Sequence, residues 1–188
     1  FWRGDATWVA PSDSQGLYLI STTTVSTGDA YATLTSQFTD TYEGYYIQLL
    51  GWQPSTAAYL LTQVVTGAST VETGSIYSRA SRGVQDDGSE INDYGTSGSL
   101  VYINPTTARN DGHGNVEMWF HRPQGVGLYK PQFRWISSYY SNSGDKGSVV
   151  YGFFQADTTT ELTGIKLYQD TGTINDLQIK VYGYLMTP

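Results

Sequence analysis

His113 and His121 are the two imidazoles of the chain, the side chains whose ordinary pKa suits acid–base work near neutral pH. A serine–histidine–carboxylate relay needs a hydroxyl and an acid gathered around the ring, and no G-x-S-x-G elbow is present to supply the nucleophile. His121 follows Glu117 and Trp119 in an alternating run, the setting of a solvated or packed strand histidine. His113 lies in a glycine-flanked stretch with Asp111, and one imidazole with one carboxylate makes a poor metal site. Asp86, Asp87, Glu90 and Asp93 form an acidic run, but calcium takes about six to eight oxygen ligands and the spacing does not follow the ordered calcium-loop pattern. Sugar hydrolysis wants two carboxylates opposed across a cleft, and no spacing here selects a pair. Cysteine is absent, which removes disulfides, thiolate ligands and a thiol nucleophile together. The expectation is a protein that is not an enzyme, with no catalytic residue, no metal site and no cofactor.

Recognition is the chemistry that remains. The stretch Trp135 to Tyr140 (WISSYY) is rich in aromatic rings, which offer flat apolar faces with polar edges suited to sugars. Trp135, Tyr139 and Tyr140 are therefore candidate ligand-binding residues. The competing reading puts Trp135 in the core and the tyrosine pair at a sheet edge. Two polar, glycine-rich stretches, Gly83 to Thr96 and Asn104 to Asn115, read as long loops, where binding residues concentrate. They add Asp86, Asp87, Asp93, Tyr94, Asp111 and His113 to the candidates. The 16 tyrosines of the chain fit either use, since tyrosine also favours a pleated strand.

The elements that must carry these residues are strands. Apolar residues recur with a period of two, and no run of ten or more residues shows a capped helical stripe. Strands are expected at Tyr18-Leu19-Ile20, Tyr45 to Leu50, Tyr59 to Val65, Val116 to His121, Gln132 to Tyr140, Val149 to Phe154, around Ile165 and Leu167, and over Leu177 to Tyr182. The Val149 to Phe154 run is apolar on both faces and is expected to be central and covered on both sides. Hairpin-type connections are expected at Ser143 to Gly147 and at Asp170-Thr171-Gly172. Ile165 and Leu167 should line one inner face, with Leu177, Ile179 and Val181 opposite. Many short strands with such loops predict an all-β, antiparallel β-sandwich, jelly-roll-like, spanning residues 15–188 as one domain behind a connector over residues 1–14.

With 188 residues, such a domain can bury a full core without cross-links. Net charge is −7, and only 14% of residues are charged. A nucleic-acid partner would want a basic face and is not expected. No apolar run is long enough for a membrane-crossing helix, so membrane insertion is not expected. No signal-peptide pattern opens the chain, and a start at Phe1 rather than Met is expected of a fragment, a processed product or the ordered part of something longer.

Two segments carry a resemblance. FWRGDATWVAP, Phe1 to Pro11, resembles the FLRGDGTW-x-x-P linker of tailed-bacteriophage tail-fibre proteins. It keeps Phe1, Arg3, Gly4, Asp5, Thr7, Trp8 and Pro11, and departs at Trp2 and Ala6. Arg3-Gly4-Asp5, the tripeptide that integrins read, is then part of a connector. Leu162 to Leu185 resembles the closing strands of phage virion appendage β-domains, with Thr163-Gly164-Ile165, Leu167, Gly172, Ile174 and Val181-Tyr182-Gly183 in place. GSVVYGFFQADTTTE before it is similar too, whereas Thr66 to Asn115 shows no such likeness. The resemblance implies a jelly-roll domain on the surface of a phage particle, forming a homotrimer and binding a host-surface polysaccharide. It brings no catalytic residues. The alternative it leaves open is a structural virion part, a capsid decoration or cement protein or a tail or neck adaptor, binding other virion proteins.

Overall fold

Alternating burial runs through almost every extended segment of the computed structural model, which describes residues 16–121, 123, 130–142, 146–158 and 160–185. The connector expected at 1–14 and the turn residues 143–145 lie outside the described residues. Thirteen strands are described and no helix: β1 (Leu17–Val25), β2 (Tyr31–Leu34), β3 (Gly44–Pro54), β4 (Leu60–Thr66), β5 (Thr70–Val71), β6 (Tyr77–Gln85), β7 (Glu90–Gly98), β8 (Val101–Tyr102), β9 (Gly114–His121), β10 (Gln132–Ser141), β11 (Lys146–Ala156), β12 (Leu162–Gln169) and β13 (Ile174–Tyr184). An eight-stranded antiparallel sheet runs β1-β13-β3-β9-β10-β11-β6-β7. A smaller antiparallel sheet runs β2-β12-β4-β5, with β8 also on β4. The chain passes repeatedly between the two sheets, which pack as the expected antiparallel, jelly-roll-like sandwich.

The inner faces explain the pairing of layers. Tyr45, Ile47 and Leu49 of β3, Met118 and Phe120 of β9, and Ile179 and Val181 of β13 point inward from the large sheet; Val64, Ile165 and Leu167 face them from the small one. Aromatic rings run through this core. Phe38 lies 4.6 Å from Tyr45 and 5.0 Å from Phe120, Phe120 lies 4.3 Å from Phe133, and Phe133 stacks on Phe154 at 4.4 Å. Burying one such ring contributes about 1.5–3 kcal/mol. Tyr45 and Tyr77 bury their rings because their hydroxyls stay satisfied. Tyr45 donates to the Thr39 carbonyl at 2.7 Å and accepts from its amide at 2.6 Å; Tyr77 donates to Glu72 O and accepts from Val64 N. Burial pushes the Tyr77 hydroxyl pKa well up.

Three expectations need correction. Gly83 to Thr96 is not a loop but the end of β6, a tight turn and most of β7. Gly88, with φ of +83°, makes the turn, and Gln85 takes the amide of Gly88. The composition misleads because β7 is an edge strand. Such strands carry polar residues, and here Arg79–Asp93 and Arg82–Glu90 pair across the two strands at 2.7 and 2.8 Å. β11 is central, between β10 and β6, yet only one of its faces is covered: Val150, Phe154 and Ala156 are buried while Val149, Tyr151 and Phe153 are exposed. The strand covered on both sides is β4, every residue of which is buried. Asp170-Thr171-Gly172 joins no hairpin. β12 pairs with β2 and β4, and β13 pairs with β1 and β3, so the turn carries the chain from one layer to the other. Ile165 and Leu167 do face the inner residues of β13, as expected.

Candidate binding surface

The predicted site residues separate into three groups. Trp135 is 1% exposed and belongs to the core, against its assignment as a ligand contact; its Nε1 donates to the Ile103 carbonyl at 3.0 Å and its ring lies 5.9 Å from Phe154. Tyr139, at 5% exposed, is also a structural residue, with its hydroxyl 2.7 Å from Thr106 Oγ1 and its pKa raised by burial. The physical reason is register. On β10 the residues Phe133, Trp135, Ser137, Tyr139 and Ser141 all point inward, so Tyr140 alone of the three aromatics faces out.

The second group meets at one end of the sandwich. The β6–β7 turn, the end of β10, the start of β11 and the stretch 104–113 enclose a shallow groove. Asp86, His113, Tyr139 and Tyr140 line it, with Val84 and Val149. The stretch 104–113 is a loop, as expected, and it is held down firmly. Ala58 and Ala108 exchange both backbone hydrogen bonds, Arg109 N donates to Tyr140 O, and Asn142 N donates to Thr107 O. A bulge in β3 turns Trp52 into the core. Gly51, with φ of +68°, occupies it and receives His113 Nδ1 on its carbonyl at 3.1 Å. Asp86 Oδ2 accepts from Gly147 N at 3.1 Å.

Asp87 and Asp111 lie beside the groove, and each is already engaged. Lys146 lies 2.5 Å from Asp87, which also accepts from Ser89; Arg109 grips Asp111 at 2.7 and 2.5 Å. The Lys146 ammonium, then Ser89, holds the Asp87 carboxyl well below its ordinary range, and the Arg109 guanidinium lowers Asp111. Arg82, then Asn92, does the same to Glu90. A carboxyl whose folded pKa is depressed adds stability above its unfolded pKa and loses it as pH falls through the folded value. The thermal midpoint is therefore expected to decline from about pH 4 downward. A variant carrying Asp87→Asn, Glu90→Gln and Asp111→Asn should show a flatter decline in thermal melts. The effect is small because all three groups are exposed and screened. Equal slopes for the two proteins would refute it.

The third group lies on the open face of the eight-stranded sheet. Tyr94 of β7 is 84% exposed, and on β11 Tyr151 is 60% and Phe153 42% exposed. Register puts Tyr94, Ala80, Phe153, Arg134, Trp119, Tyr46 and Tyr182 in one continuous cross-strand row. Tyr46 stands 5.3 Å from Trp119 and 5.8 Å from Tyr182, and the Arg134 guanidinium lies over the Trp119 ring at 4.9 Å. Asp93 is not on this face: alternation puts it on the other side of β7 with Ile91, where Arg79 holds both its oxygens at 2.7 and 3.3 Å. Of this row only Tyr94 was picked out from the sequence. The missed signal was the placement of aromatics at the normally polar positions of β3, β9, β11 and β13.

Among the described residues no group of three or more histidines and acids is placed to hold a metal ion. No family model matches the chain, and no curated protein matches it. One solved structure, "Structure of infectious bursal disease virus Gt strain", aligns over 97% of this chain and 47% of its own, at 11% identity and a TM-score of 0.13, so the chain spans about half the length of that neighbour and the alignment establishes no shared fold.

Proposed function

We propose that this chain is a non-catalytic adsorption domain of a tailed-bacteriophage appendage, binding a host-surface polysaccharide through the open face of its eight-stranded sheet. One observation carries the reading: Tyr94 and Phe153 lie in one cross-strand row with only Ala80 between them, Tyr151 stands two residues from Phe153 on β11 in the next row, and all three are exposed. An exposed aromatic cluster on an acidic protein marks a contact surface, and rings bordered by hydrogen-bonding groups suit the mixed apolar and hydroxyl faces of sugars. Arg82, Glu90 and Asn92 supply such groups in the adjoining rows. The likeness of the chain's two ends to phage appendage domains supports a virion location and a homotrimer, in which linked copies would strengthen weak single sites.

The aliphatic exposure of Val84, Val149, Leu17 and Leu19 on the same sheet favours a second reading, a structural virion part that binds other virion proteins. Labelling of host cells with fluorescent domain separates the two. Adsorption predicts labelling that disappears when surface glycans are stripped, and that falls by about tenfold or more in the Tyr94→Ser, Tyr151→Ser, Phe153→Ser variant with its melting temperature preserved. Absence of labelling on glycan-bearing hosts, with tight binding to purified virions, would instead establish the structural role.

A further inference from the structure

The face described above also contains a concavity that points to the chemical class of the ligand. Trp119, Arg134 and Phe153 are consecutive in one cross-strand row of β9, β10 and β11, and His121 and Gln132 sit together in the next. With Tyr184 they wall a depression in the sheet surface. Its sides are aromatic, and its polar groups are a guanidinium, an imidazole, an amide and the Tyr184 hydroxyl, which donates to the Phe120 carbonyl at 3.4 Å.

Arg134 differs from the other arginines described. Arg79, Arg82 and Arg109 each hold a carboxylate at 2.5–2.8 Å, as do Lys130 and Lys146 at 2.9 and 2.5 Å. Arg134 forms no such pair among the described residues; its guanidinium is positioned by the Trp119 ring. The acids on this side are Glu117, one row along the same face, and Glu43, which acts electrostatically on Tyr184. Lys166 is likewise held over aromatic rings, those of Tyr31 and Tyr168 on the smaller sheet, but Arg134 is the one that lines this depression. A guanidinium lying over an aromatic ring keeps its in-plane N–H edge for an acceptor, and that fork fits a carboxylate with two parallel hydrogen bonds. Phe153 and Tyr184 flank it with apolar surface for the C–H face of a pyranose ring.

We infer that this depression is a subsite for a carboxylate-bearing sugar, with Arg134 reading the carboxylate and Trp119, Phe153 and Tyr184 cradling the ring. The inference rests on the glycan-binding reading and narrows it to acidic polysaccharide. Arg134 takes the charge, Gln132 and His121 take ring hydroxyls, and the groove at the end of the sandwich is not required.

A glycan array holding neutral oligosaccharides, uronic-acid and other carboxylated oligosaccharides, and the carboxyl-reduced form of each acidic one tests it on the full chain. Bound glycans should be carboxylated and should outperform their reduced counterparts by a factor of about ten to a hundred, the span of a charge-assisted hydrogen-bond pair. Arg134→Gln should bring that ratio close to one, and Arg134→Lys should leave it intermediate, with melting temperatures unchanged for both. Equal binding of acidic and reduced forms, or a ratio that survives Arg134→Gln, overturns the acidic-sugar subsite while the glycan reading stands. No binding to any glycan removes the glycan reading, and this inference with it.

Discussion

Trp135→Ala is expected to lower the unfolding free energy by about 3–5 kcal/mol, the cost of removing a fully buried large aromatic. Two features put it at the upper end. The indole Nε1 holds the Ile103 carbonyl, which Ser137 Oγ also reaches at 3.0 Å, so the substitution removes one of two donors that tie the start of the 104–113 loop to β10. The ring also fills the space over Gly152, its partner on β11. A Cβ at Gly152 would lie 2.0 Å from the indole Cζ2, so glycine is required for the ring to fit. That contact predicts non-additivity. Gly152→Ala alone should destabilise strongly by clash, yet cost much less in the Trp135→Ala background, where the methyl enters vacated space; the coupling should exceed about 1 kcal/mol. Urea denaturation of the four proteins measures it. Additive losses would show that the ring does not occupy that space. Trp135→Ala should also leave glycan binding per folded molecule unchanged, because the indole is sealed from solvent.

The second large effect is at Asn104, a buried amide in the same region. Its Oδ1 accepts the Leu60 amide, and its Nδ2 donates to the carbonyls of Thr106 at 2.9 Å and Ala58 at 3.3 Å. Asn104→Ala leaves these backbone groups buried without their partner, at about 1–3 kcal/mol for each group that cannot find water, so a total near 2–4 kcal/mol is expected. Asn104→Asp should be worse, since it keeps the acceptor, loses both donors and buries a charge. The damage should be local as well as global. Amide hydrogen exchange should accelerate from residue 105 to 113 before β10 and β11 are affected, and His113 and Tyr140 should lose their fixed separation across the end groove. Uniform loss of protection over the whole sandwich would refute a local clamp.

These two residues show how differently the sequence speaks about position. WISSYY read as an aromatic surface patch because residue types alone do not say which side of a strand points inward. The alternation of β10 puts Trp135 and Tyr139 on one side and Tyr140 on the other, and that phase is set by Phe133 packing on Phe120 and Phe154. Asn104 read as an ordinary loop polar residue, because its three backbone partners come from residues 58, 60 and 106, and two of those contacts cross more than forty positions of chain. The run from Gly83 to Thr96 read as a loop because an edge strand needs few apolar residues, its order coming from the ladder to β6 and the cross-strand ion pairs.

From composition and period-two patterning alone came an all-β chain, two layers, the inward phase of β12 and β13, and a long loop after Asn104, since strand alternation and turn chemistry are local properties of neighbouring residues. Which strands share a sheet, which face of β11 is left open, and that Tyr94, Phe153, Arg134 and Trp119 form one row were decided only by tertiary pairing. Those facts depend on partners far apart in the chain, chosen by the packing of the whole core, and no local pattern encodes them.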